Sequence, residues 1–169
     1  MELENADELY NKGVVLRKTG NPKESILYFN RVLEINPNHL NALLNKGHAL
    51  GRLGKYRDAI VCYEKVLQID NENILALVNI GLSYHYLHNY ESAISYYDKI
   101  LEQNPSHANA LYHKACTKAL QKNYGDALDL LEHAIKLDIA NKIKAKGDLD
   151  FENLRDNERF IKLTARWEN

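Results

Sequence analysis

The chain has 169 residues, 45% apolar and 27% charged, with only 8 Gly and 3 Pro, which suits a helical globular protein and excludes disorder or long irregular loops. A formal charge of -1, from 22 Lys plus Arg against 23 Asp plus Glu, with no basic stripe, excludes a binder that lives on nucleic-acid phosphates. No run approaches the ~18 apolar residues of a membrane span, and the acidic start MELENADELYNK reads as neither signal nor transit peptide, so a cytoplasmic protein is expected.

A single period orders the elements. Gly13, Gly47 and Gly81 are 34 residues apart, and the next step lands on Ala115. Ser25, Ala59, Ala93 and Ala127 keep the same step, as do Phe29, Tyr63, Tyr97 and Leu131. Four units follow: 6–39, 40–73, 74–107 and 108–141. In the first unit, Gly20-Asn21-Pro22 breaks one helix from the next, Gly accepting a positive φ and Pro opening the second helix. Asn36-Pro37-Asn38 and Asn104-Pro105-Ser106 separate units, and Asn38 and Ser106 are expected as N-caps. In the third unit, Leu77, Ile80, Gly81 and Tyr84 form one helical stripe. After a break at His88-Asn89, a second stripe carries Ala93, Ile94, Tyr97, Ile100 and Leu101. The small residue eight positions into each unit lets the first helix approach the second, and the residue at position 24 fills the space between them. No two-helix unit buries its stripe alone, so the units must stack.

Small residues at positions 8 and 20, an aromatic at 24 and Pro at 32 of a 34-residue unit resemble the tetratricopeptide (TPR) repeat. The resemblance covers about four-fifths of the chain. The usual Trp at position 4 is replaced by Leu9, Leu43, Leu77 and Leu111, and the fourth unit departs most, with Ala115, Lys118, Leu131 and Ile139 at the signature places. The resemblance implies an all-α right-handed superhelix, an α-solenoid of four helix pairs, with a concave groove lined mainly by the first helix of each pair. It also implies binding of extended peptides or partner segments. Residues 142–169 do not continue the repeat. Phe151, Leu154, Phe160, Ile161 and Leu163, spaced among charges, are similar to the helical segment that closes TPR arrays in prokaryotic proteins, where the last repeat must hide an apolar face; a separate partner-binding element is the alternative. Trp167 either completes that cap or stays mobile.

Chemistry-bearing patterns all have plainer explanations. Gly47, Gly51, Gly54 and Lys55 lack the Ser or Thr that a phosphate loop places after its Lys, where Tyr56 stands instead. His85, His88 and His113 have no carboxylate or thiol at a convincing ligand spacing, so no metal site is expected. Cys62 and Cys116 form no C-x-x-C pair and suit a reducing compartment. Cys116 is expected to face the groove without a His-plus-carboxylate set beside it. No catalytic residue and no cofactor are expected; the protein reads as no enzyme.

The groove reads more sharply. Position 6 of the first helices gives Asn11, Asn45, Asn79 and His113. Asn is a mediocre helix former, so three in register point to a role beyond packing, although 19 Asn in the chain make coincidence easier. An amide offers donor and acceptor together, matching a peptide main chain. The pattern is similar to the asparagine ladder of superhelical TPR proteins such as O-linked N-acetylglucosamine transferase. Leu44, Val78, Leu82, Tyr86 and Tyr112 would add apolar contact, with Lys18, Arg52 and His48 toward the N-terminal end. The two-carboxylate clamp of TPR co-chaperones is missing: its places fall on Tyr10, Val14, Asn45, Leu75 and Asn79, or one unit on, on Leu44, His48, Asn79, Asn109 and His113. Without its cations the charge-assisted bonds that capture a chain terminus are lost. The expected function is a non-catalytic adaptor for a protein or peptide partner, with a self-assembling scaffold, a homo-oligomer through tail or convex face, as the alternative.

Overall fold

The computed structural model describes residues 5–165, all of its regular structure helical. The helices are α1 (Ala6–Lys18), α2 (Pro22–Ile35), α3 (Leu40–Arg52), α4 (Tyr56–Ile69), α5 (Ile74–Tyr86), α6 (Tyr90–Gln103), α7 (Ala108–Leu120) and α8 (Tyr124–Leu137). They are followed by α9 (Ala140–Gly147), a 3-10 helix (Leu149–Leu154) and α10 (Glu158–Thr164). The chain divides into two compact units between Leu87 and His88, so that α1–α5 belong to one and α6–α10 to the other. Trp167 lies outside the described residues.

The 34-residue period sets the ends of the helices. Gly20, Gly54, His88 and Lys122 all take the left-handed conformation, with φ of 86°, 71°, 58° and 62°. Each lies in the short turn between a first helix and the second. Pro22 opens α2 as expected, its missing N–H costing nothing in a first turn. The expected caps at Asn38 and Ser106 are corrected by one residue. His39 and His107 cap α3 and α7, each Nδ1 accepting a backbone N–H at 3.1 Å, from Ala42 and Ala110. Asn73 caps α5 in the same way. Asn38 and Ser106 instead donate their backbone N–H groups to the side chains of Asn36 and Asn104, which close the turn after each proline.

In the first unit α1 packs on α2, α3 on α4, and each second helix on the following first helix; α1, α3 and α5 also touch in succession. Phe29 fills the space against Gly13, where an added Cβ would meet its ring at 2.6 Å. Tyr63 does the same at Gly47, at 2.5 Å. In the second unit Leu131 packs in one core with Ala115, a shorter side chain against a slightly larger partner.

The tail folds onto α7 and α8. Phe151, Leu154 and Phe160 are buried in one core with Leu111, Tyr112, Leu128 and Leu131. The rings of Phe151 and Tyr112 meet edge to face at 6.0 Å. Arg159 ties α10 to α8 through Asp129 and Glu132, each at 2.7 Å. Lys136 and Arg159 together hold the Glu132 carboxyl down at about 2.

Candidate functional site

In the first unit the amides expected to form a ladder sit on consecutive first helices. Asn45, half-buried, donates its Nδ2 to the carbonyl of Asn41 at 2.7 Å and to the Tyr10 hydroxyl at 3.2 Å. Asn79, also half-buried, donates its Nδ2 to the carbonyl of Leu75 at 2.6 Å and hydrogen-bonds the His48 side chain. Asn11 is exposed on α1. Part of what makes Asn odd in a helix is thus answered locally: the amide bonds back to residue i−4 and across to a neighbouring helix. This corrects the expectation that packing leaves the amides unexplained.

Beside Asn79 lies a cleft of about 370 Å³ lined by α1, α3, α4 and α5. Arg17, His48 and Arg52 contribute its cationic side, while Leu82, Tyr56 and Tyr86 contribute its apolar side. Tyr56 and Tyr86 stack at 5.0 Å with their planes 15° apart. Arg52 donates Nη1 to the carbonyl of Arg17 at 3.1 Å, a C-terminal cap for α1 from the neighbouring first helix. The Arg17 Nε is buried without an acceptor, which costs about 1–3 kcal/mol. His48 meets the Tyr63 ring edge-on at 6.1 Å. Burial, and then the Arg17 charge, hold its imidazole below the ordinary histidine value against the opposing bond it shares with Asn79. Sequence reasoning placed Arg52 and His48 at this end but missed Arg17. The signal was there: Arg17 and Arg52 come one period and one residue apart at the ends of consecutive first helices.

Leu44 is buried on α3, so it packs between helices rather than offering itself to a ligand; Val78 and Leu82 are half-buried and Tyr86 is 55% exposed.

In the second unit His113 is half-buried and stacks on Tyr97 at 6.1 Å. Tyr112 departs from the expectation of a groove contact: it is 0% exposed, roofed by the tail, and donates its hydroxyl to Asp148 Oδ2 at 2.8 Å. Cys116, expected at the groove, is buried in the same core and donates its thiol to that oxygen at 3.7 Å. Burial, Asp148 and Asp150 push the thiol up, and a thiol held protonated is no nucleophile. Cys116, Asp148 and Asp150 bring possible ligand atoms within 4.8 Å of one another. Tyr112 and Cys116 both bond Asp148 there, and Asp148 Oδ1 also caps the 3-10 helix through Asp150 N.

Between α9 and the end of α10 an apolar pocket of about 850 Å³ is lined by Ile139, Ala140, Ile143 and Ala165 among others. No helix among the described residues is long and apolar enough to cross a membrane.

Models of the family described as "Tetratricopeptide repeat" match residues 6–39, 40–73 and 73–140. Among solved structures the chain is similar to MamA from Desulfovibrio magneticus RS-1, with 21% identity, 96% of this chain and 95% of that one covered, and a TM-score of 0.79. It is also similar to TTC0263, a thermophilic TPR protein in Thermus thermophilus, with 17% identity, 94% and 88% covered, and a TM-score of 0.76. A tetratricopeptide repeat protein from Parabacteroides merdae ATCC 43184 shares 24% identity over 94% of this chain and 63% of that one, with a TM-score of 0.74. At these identities the likeness shows the fold. No curated protein matches the sequence.

Proposed function

The chain belongs to the tetratricopeptide repeat family, and from that premise we propose that it is a non-catalytic adaptor holding an extended segment of a partner protein along its first helices. On this reading residues 6–39, 40–73, 74–107 and 108–141 are the four units of the array, 142–169 are its cap, and the module works in the cytoplasm. The observation that carries it is the pair Asn45 and Asn79, at one repeat position on helices α3 and α5, both half-buried and each oriented by the bond it donates to a carbonyl of its own helix. Asn45 spends both amide hydrogens internally, which leaves its Oδ1 to accept a main-chain N–H of a bound segment.

One such bond per amide is worth about 0.5–1.5 kcal/mol. Replacing both Asn45 and Asn79 by Ala is therefore expected to cost roughly 1–3 kcal/mol of binding, about five- to 150-fold in affinity. Folding is followed beside it by a thermal melt, because Ala is the better helix former but each variant also gives up its bond to Tyr10 or His48. A pull-down from host lysate identifies the partner, and calorimetry with its peptides measures the loss. The Asn pair should weaken every peptide alike, whereas Leu82→Ala should discriminate among them. Normal binding by the double variant would refute the ladder.

A second reading, self-association through the tail, is favoured by the apolar pocket beside α9 and by Ile143, 81% exposed there. Light scattering over a dilution series should then show an oligomer that Ile143→Glu dissolves; a monomer throughout rejects it.

A further inference from the structure

The cleft of the first unit points to what the bound segment carries. Arg17 from α1 and Arg52 from α3 converge on one cleft with His48, and none of the described residues lining it is a carboxylate. Neither arginine has a carboxylate within ion-pairing distance among the described residues. The chain as a whole is nearly neutral, so this is a local concentration of positive charge rather than a general property of the surface. The bond from Arg52 to the Arg17 carbonyl holds the Arg52 side chain against the end of α1, and both arginines line the same cleft. Arg17 keeps an Nε–H with no acceptor, and the stacked Tyr56 and Tyr86 form a flat apolar wall alongside.

We propose that this cleft takes a side-chain carboxylate of the bound segment, so that the partner is an acidic peptide. The proposal rests on the reading of the first-helix face as a peptide site and names the chemistry of its ligand. A planar carboxylate matches the parallel donors of a guanidinium bidentately, and the tyrosine wall covers the methylene stem that carries it. Arg17 and Arg52 occupy none of the places of the co-chaperone clamp, and the carboxylate proposed for them is that of a side chain within the segment.

The test is an NMR titration of the full chain with three octapeptides of Gly and Ala that differ only at their centre, which is Glu-Glu, phosphoserine or Gln-Gln. The Glu peptide should shift the Nε–H signals of Arg17 and Arg52, and bind at least about tenfold more tightly than the Gln peptide, with an advantage that fades as salt screens it. His48 faces Arg17 from α1, Arg52 from its own helix, Tyr56 and Tyr63 from α4, and Asn79 and Tyr86 from α5. Bound carboxylate should therefore raise its titration midpoint, which a merely structural role for the arginines would not do. Arg17→Gln, which leaves the carbonyl held by Arg52 in place, should abolish both the preference and the His48 shift; Arg17→Lys should restore part of each.

Equal binding of the Glu and Gln peptides, with Asn45 and Asn79 signals moving and the arginines still, would overturn the acidic preference and leave the groove reading standing. Glu-peptide binding at the arginines that survives Asn45→Ala with Asn79→Ala would support the carboxylate site and remove the main-chain grip. Binding of the phosphoserine peptide alone, or of none of the three, would overturn the proposal.

Discussion

Histidine is an unusual N-cap, yet His39 and His107 share that duty with Asn73 at one place in the repeat. The imidazole Nδ1 reaches the N–H of N3 as the Asn oxygen does, at the same 3.1 Å. Replacing either histidine by Ala leaves that donor to water and should cost about 0.5–2 kcal/mol, whereas His39→Asn or His107→Asn should hold or raise stability. Thermal melts of the four variants decide it, and equal losses for Asn and Ala would mean that the rings act by packing. The sequence misplaces the cap because Asn38, the stronger capping residue by type, stands one place before His39. Asn38 lies instead in the turn after Pro37, its N–H given to Asn36 Oδ1, and α3 starts one residue later. Choosing between them needs the turn.

At the scale of the helix pair, the contact between the eighth and twenty-fourth residues of a unit works as a matched volume. Gly47 lies so close to Tyr63 that a methyl group would sit 2.5 Å from the ring. Gly47→Ala should therefore destabilise by about 1–3 kcal/mol through overpacking, less what Ala returns as a helix former, up to ~1 kcal/mol. The fourth pair already uses the other solution, Ala115 with Leu131, both fully buried. The double variant Gly47→Ala with Tyr63→Leu should thus recover much of the loss. A double-mutant cycle by urea unfolding measures the coupling; additive losses would show that the two positions do not share the space. This contact was legible in advance, since a period that repeats both partners reports their pairing.

For the whole molecule, the tail decides how the last pair ends. Phe151, Leu154 and Phe160 are buried against α7 and α8, and each such side chain is worth about 1.5–3 kcal/mol of burial. Removing residues 148–169 should then take away much of a domain's usual ~5–15 kcal/mol. It would also strip the cover from Tyr112 and leave its hydroxyl without Asp148. The shortened chain is expected to melt far earlier or to aggregate, as scanning calorimetry with light scattering would show. An unchanged melting temperature would make the tail a free interaction element. Within the tail, the Arg159 pairs with Asp129 and Glu132 are exposed and salt-screened, so Arg159→Ala should matter far less than Phe151→Ala.

The sequence by itself determined the repeat, the helix pairs, the left-handed reversal after the first helix of the first unit and the apolar character of the tail, because each is a local pattern of volume, φ or periodicity. Only the tertiary structure decided which surface positions are open. Tyr112 stands at the same repeat position as Val78, yet Val78 is half-buried while Tyr112 is fully covered, because the 3-10 helix lies over α7. Cys116 went the same way. Arg17 and Arg52 are distant in sequence, and their meeting depends on α1 packing beside α3 so that one side chain caps the other helix. A period reports what every unit does; burial and electrostatics belong to what is brought against it.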